Sequence, residues 1–115
     1  MQEIFTAIEE IRKRLGSRLC IMGHHYESDA VIAHCDFTGD SLELARRIPD
    51  VDAEFIVFCG VTFMGETAAL LARKGQKVLL PAPDADCRMV LMSRASAARA
   101  VLTELKERGL DFLPL

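Results

Sequence analysis

The apolar positions of the chain fall into two kinds of pattern. Ile4, Ile8, Ile11 and Leu15 recur at helical spacing, Phe5 and Ala7 widen the stripe, and Gly16 stops it. That predicts a first helix from about Gln2 to Leu15. Arg18 to Gly23 is a short apolar run ended by a glycine, the mark of a buried strand. Ser28 to about Cys35 reads as a short helix with Ser28 as its N-cap. Asp36 to Asp40 reads as a turn, with Gly39 giving it backbone freedom. A helix is predicted from Ser41 to Ile48, ahead of Pro49.

Glu54 to Cys59 (EFIVFC) is β-branched, aromatic and not alternating, a second buried strand that Gly60 breaks. A helix follows over Thr62 to Lys74, closed by Gly75, and Lys77 to Leu80 is a third buried strand. The loop PAPDADC leads to a helix, in one or two pieces, over about Arg88 to Arg108, ended by Gly109. Leu110 to Leu115 is a possible fourth strand, placed at an edge by Pro114. Short buried strands alternating with helices predict an α/β fold: a three-layer sandwich around a small parallel sheet of three to four strands. The 115 residues suit a single domain over 1–115.

Composition narrows the function classes. Half of the residues are hydrophobic and the mean hydropathy is +0.18, enough for a real core. No apolar run approaches the roughly 18 residues of a membrane span, and the N-terminus lacks the plan of a signal peptide. The expectation is a cytoplasmic protein without a membrane partner. A net charge of -3, no Trp and few aromatics give no basis for binding nucleic acid. The four cysteines, Cys20, Cys35, Cys59 and Cys87, form no C-x-x-C pair and are expected as free thiols. Cys20 and Cys59 sit in apolar runs and read as buried hydrophobes.

The chemically capable side chains concentrate between Gly23 and Ser41, which holds all three histidines and the only tyrosine. In an open parallel sheet ligands bind beyond the carboxyl ends of the strands. That rule sends His24 and Tyr26 after the first strand, Met64 after the second and Cys87 after the third towards one rim. Adjacent His24 and His25 point opposite ways in extended chain, so only one faces the cleft. Tyr26 can share the face of His24, and such a pair could polarise a carbonyl and move protons. A lone strand-end histidine is more often structural than catalytic. Asp40-Ser41 opens a helix after a glycine, which suits either an anion, with the Ser41 hydroxyl as donor, or a plain N-cap. Cys87, in a loop near a helix start, suits a nucleophile, a metal ligand or an inert thiol.

Taken together these residues resemble the quinolinate synthase family of bacterial NAD biosynthesis. GHHYE is similar to the family's Ala-His-x-Tyr-Gln element, with Gly23 in place of alanine and Glu27 in place of glutamine. DFTGDSLELARR resembles its F-x-G-D-S-L-x-x-A-R element, and FCGVTFMGETAALL its G-V-x-F-M-x-E block. LLPAPDADC resembles the strand, proline and loop that deliver its first cluster cysteine. The order and spacing agree over about Leu19 to Arg88.

The resemblance implies a transferase that condenses iminoaspartate with dihydroxyacetone phosphate to quinolinate, losing phosphate and water. It implies a [4Fe–4S] cluster on three cysteines, with one iron open as a Lewis acid. Cys87 would be one ligand; the other two, and a Tyr-x-Asn element expected just past Leu115, would lie in two further domains around a central cleft. His24 and Tyr26 would be catalytic and substrate-contacting, Asp40 and Ser41 would meet an anionic group, and Phe63 and Met64 would line the pocket. The L-aspartate oxidase that supplies iminoaspartate is the implied protein partner. By itself the 115-residue chain is expected to be inactive. Two other readings are open: a non-enzymatic anion-binding domain that keeps the Gly39-Asp40-Ser41 turn, and a mononuclear metal site from His24, His34 and Cys35.

Overall fold

A computed structural model describes residues 2–112. Among them the chain forms a single four-stranded parallel sheet: β1 (Leu19–His24), β2 (Phe37–Gly39), β3 (Phe55–Cys59) and β4 (Lys77–Leu79), in the order β2-β1-β3-β4. Helices stand on both of its sides: α1 (Gln2–Leu15), α2 (Asp29–Ile32), α3 (Ser41–Arg47) and α4 (Thr62–Leu71). The α/β sandwich read from the apolar pattern is therefore the fold. The sheet and these four helices lie in one compact unit, Met1–Ala85. A second compact unit, Asp86–Leu115, carries α5 (Arg88–Met92) and α6 (Ala95–Glu107).

The core sits on one face of the sheet. Alternate residues of the central strands, Cys20 and Met22 of β1 and Ile56 and Phe58 of β3, are buried there. Leu44 of α3 and Met64 and Ala68 of α4 pack onto them. Gly65 lets α4 approach: a Cβ at Gly65 would stand 2.4 Å from the Leu80 side chain, inside any real contact.

The opposite face is covered less. The polar clips that hold α1 cluster at one end of it. The Arg12 guanidinium donates to the His34 carbonyl at 2.6 Å and to the Asp36 carboxylate, and His34 Nδ1 lies 2.9 Å from Glu9. Asp36 also accepts the Ile21 N–H at 2.8 Å. Beyond these clips, Ile4 and Ile8 of α1 face Leu19, Phe55, Val57 and Leu79 of the sheet across an apolar groove of about 640 Å³.

Four expectations are corrected. Asp36 to Asp40 is not merely a turn, because Phe37–Gly39 pairs in parallel with Met22 to His24 as the edge strand β2. Lys77 to Leu80 is not a buried strand; β4 is an edge, with Lys77 and Leu79 exposed. The fourth strand is β2 rather than the C-terminal segment: Leu110 to Phe112 form no strand, and Leu113 to Leu115 lie outside the described residues. The helix read over Thr62 to Lys74 ends at Leu71, where Ala72 turns to extended backbone and a turn through Gly75 (φ 96°) reaches β4.

Candidate active site

The carboxyl end of β1 is joined to the start of α3. His24 pairs with Gly39 across the strands, and the His25 N–H donates to the Gly39 carbonyl at 3.1 Å. The next two residues are Asp40 and Ser41. The β1 rim and the Gly39–Ser41 turn are thus one continuous piece of backbone hydrogen bonding, and His24, Tyr26, Asp40 and Ser41 stand on it.

The chain turns as soon as β1 ends. The Glu27 N–H donates to the His24 carbonyl at 2.9 Å. This turn, rather than an extended run, orients the rings. His24 and His25 therefore do not point to opposite sides: their centroids are 4.6 Å apart, and both rings pack on Tyr26, at 4.8 and 4.5 Å. Tyr26 itself is 86% exposed, so the phenol is available while its ring rests on imidazole. The Tyr26 N–H donates to His24 Nδ1 at 3.2 Å. Nδ1 is then the acceptor, which leaves Nε2 to carry the proton of the neutral ring. Burial, with His25 beside it, lowers the His24 pKa from the ordinary 6.5. At neutral pH His24 is an uncharged imidazole with a free Nε2–H.

Asp40 is the N-cap of α3. Its carboxylate accepts the N–H groups of Leu42 and Glu43, at 2.9 and 2.8 Å. Those bonds, the one from Glu43 first, lower its pKa from 3.8. The capping reading of Asp40 therefore holds, and its carboxylate fills the very donors an anion would use. Ser41 is half-buried beside it, and no hydrogen bond among the described residues engages its hydroxyl. Ser41 is the donor of this turn that remains for a ligand.

Phe63 and Met64 part company at the start of α4. Phe63 is exposed, whereas Met64 is 4% exposed and belongs to the core, with its sulfur 3.3 Å from the place of a Cβ on Gly60. Met64 packs in the core of the first unit. Thr62, one residue earlier, was not singled out by the sequence. Its hydroxyl lies 2.7 Å from the Pro83 carbonyl and 3.0 Å from that of Ala85, which also accepts the Thr62 N–H at 2.8 Å. It fastens the loop that runs on to Cys87. A threonine opening a helix after a strand-end glycine was the only signal for it.

Cys87, in the second unit, is the N-cap of α5 and is half-buried. The mononuclear metal reading fails: among the described residues no three of His, Cys, Asp and Glu are grouped to hold an ion. His34 is turned to Glu9 instead, and Cys35 lies over Gly23. No helix among the described residues is long and apolar enough to cross a membrane.

Known proteins match the chain closely. The family model described as quinolinate synthetase A protein matches residues 6–110. A quinolinate synthase of Bacillus pumilus is 44% identical over the whole chain, which covers 32% of that relative. The quinolinate synthase of Bacillus subtilis is 47% identical over 80% of this chain and 25% of its own length. That of Lysinibacillus sphaericus is 51% identical over 79% of the chain, again 25% of the relative. The chain thus spans about a third of the length of the curated relatives it matches. With residues 6–110 of 115 matched, the chain belongs to the quinolinate synthetase A protein family.

Proposed function

We propose that this chain forms the first wall of a quinolinate synthase active site, in which iminoaspartate and dihydroxyacetone phosphate condense to quinolinate with loss of phosphate and water. The observation that carries the reading is the single rim made by His24, Tyr26 and Ser41, on the segments where the chain matches the family. His24, neutral and with its proton on Nε2, donates to a substrate carbonyl oxygen and can return the proton later. Tyr26 contributes an exposed phenol against the same ring. The Ser41 hydroxyl donates to a phosphate or carboxylate oxygen, and the exposed Phe63 ring supplies an apolar wall.

The family's [4Fe–4S] cluster would take one ligand from this chain. Cys87 fits that role: its thiol is not fully buried, and the preceding loop is fastened by Thr62. The other ligands would come from outside the described residues, which group no three donors. When bound, the cluster supplies a Lewis-acidic iron for dehydration. Iminoaspartate is an imine that water hydrolyses, so the L-aspartate oxidase that makes it is the expected partner.

The test replaces the matching N-terminal segment of the Bacillus subtilis relative with this chain and loads the fusion anaerobically with iron and sulfide. Quinolinate is expected from the two substrates. His24→Ala should lower kcat by about 100-fold or more, the usual loss for a removed acid–base group. Cys87→Ala should lose the iron–sulfur absorbance. Full absorbance in that variant would remove Cys87 from the ligand set.

A further inference from the structure

We infer that Cys35 and Cys59 form a reversible thiol–disulfide site beside the β1 rim, closed by exchange with a small disulfide such as oxidised glutathione. The inference stands apart from the proposed reaction and uses neither His24 nor Cys87.

The placement follows from the pleat of the sheet. Cys59 is the direct partner of Gly23 across β1 and β3. Paired residues of neighbouring parallel strands point to the same face, one strand spacing, about 4.8 Å, apart. That is the face opposite the core, where Cys59 borders the apolar groove. Gly23 has no side chain, and Cys35 uses the space. Its Sγ lies 2.5 Å, and its Cβ 3.7 Å, from where a Gly23 Cβ would be. One thiol therefore occupies the side-chain position next to the other. A disulfide needs its two Cβ atoms about 3.8 Å apart. The partner that must move is Cys35, which follows the single-turn helix α2 rather than sitting in a strand. Moving it frees no buried acceptor. The Val31 carbonyl that Cys35 Sγ meets at 3.4 Å also accepts the His34 N–H at 3.0 Å.

The exchange balances. One thiol loses its proton and attacks a sulfur of oxidised glutathione, releasing one glutathione thiolate. The second thiol, also deprotonated, attacks the mixed disulfide and releases the other. Two protein thiols are oxidised and one small disulfide is reduced to two thiols. Burial raises the Cys59 pKa to about 11 and raises that of Cys35 as well. Glu27 faces both thiols and Asp36 faces Cys35, each adding to the rise; Arg12 opposes it at Cys35. Closure is therefore slow at neutral pH. The same burial gives the reduced pair no thiolate stabilisation, so the bond once made is not a strong oxidant. Closing it fastens the end of α2 to the end of β3 and ties down the segment that carries Tyr26.

The test treats the reduced chain with oxidised glutathione, quenches in acid, alkylates the remaining thiols and maps tryptic peptides by mass spectrometry. The expected product joins the peptide Leu19–Arg46 to the peptide Ile48–Arg73 and is undone by dithiothreitol. It should persist in Cys20→Ser and vanish in Cys35→Ser; if that variant fails to fold by circular dichroism, Cys35→Ala replaces it. Its rate should rise about tenfold per pH unit between pH 7 and 9, as the thiolate fraction does. Recovery of Cys35 and Cys59 as free thiols while Cys87 takes up glutathione would overturn the inference. So would separate glutathione adducts on Cys35 and Cys59.

Discussion

Gly23 shows how a single hydrogen atom reshapes a neighbourhood. The Cys35 sulfur fills the volume that a methyl on Gly23 would need. Gly23→Ala should therefore destabilise the fold by about 1–3 kcal/mol, the usual cost of overpacking. Adding Cys35→Ala should recover most of that loss, and urea denaturation of the two single variants and the double variant measures the coupling. If Gly23→Ala is neutral alone, the close approach is not real in solution. His24 makes a second prediction. Its folded pKa lies below the ordinary 6.5, so the unfolded chain takes up the proton first as pH falls. This group's contribution is thus intact above pH 6.5 and is lost as pH falls below that value through the lower folded pKa. NMR of the imidazole should show a midpoint below 6.5. A higher midpoint would mean that His24 is charged in the neutral range, contrary to the role given to it.

Among the elements, those legible in the sequence were the ones whose pattern is local. The α1 stripe gave its bounds to the residue, and β1, β3 and α3 fell within one or two residues of expectation. β2 was not legible, because three residues, Phe-Thr-Gly, make no run; their pairing to Met22 through His24 is a tertiary event. β3 looked uniformly buried but alternates, since only Ile56 and Phe58 reach the core. The candidate site divides in the same way. His24, Tyr26 and Ser41 could be found from strand ends and turn chemistry. The clustering of the three rings and the Cys35–Cys59 proximity come from a turn and a strand pairing, which no spacing along the chain encodes. One element has a clasp of its own. The Gln76 side chain donates to the carbonyls of Val51 and Ala53, at 2.6 and 2.8 Å, and accepts the Arg73 N–H at 2.8 Å. It ties the turn before β4 to the loop before β3. Gln76→Ala should cost about 1–3 kcal/mol by urea denaturation, since it leaves the Ala53 carbonyl and the Arg73 N–H to find new partners, while the Val51 carbonyl keeps the Arg73 guanidinium. An effect under a few tenths would mean water replaces the clasp freely.

At the scale of the molecule the two faces of the sheet are unequal. One holds the core; on the other, α1 stands across an apolar groove bordered by Val57 and Leu79. Parallel sheets are ordinarily covered on both faces. The chain alone should therefore enhance the fluorescence of an apolar dye in its native state. Val57→Lys, which places a charge in the groove, should reduce that signal while the circular dichroism spectrum is kept. An unchanged signal would locate the dye elsewhere, for example on the exposed apolar side chains of α5.

The strand order also sets a schedule. β1 leaves the ribosome before the other three strands of the sheet, yet it lies inside the sheet, and its longer pairing is with β3. The Arg18–Glu54 ion pair at the start of that pairing joins residues 36 apart in sequence. At the usual 5–20 residues per second of synthesis, β1 waits roughly 2–7 s for its partner. In that interval β2 can cover only three of its residues. The opposite edge of β1, Leu19 to Gly23, which will receive β3, stays open meanwhile, so a nascent chain halted before Phe55 is the species most exposed to wrong pairing and to capture by chaperones.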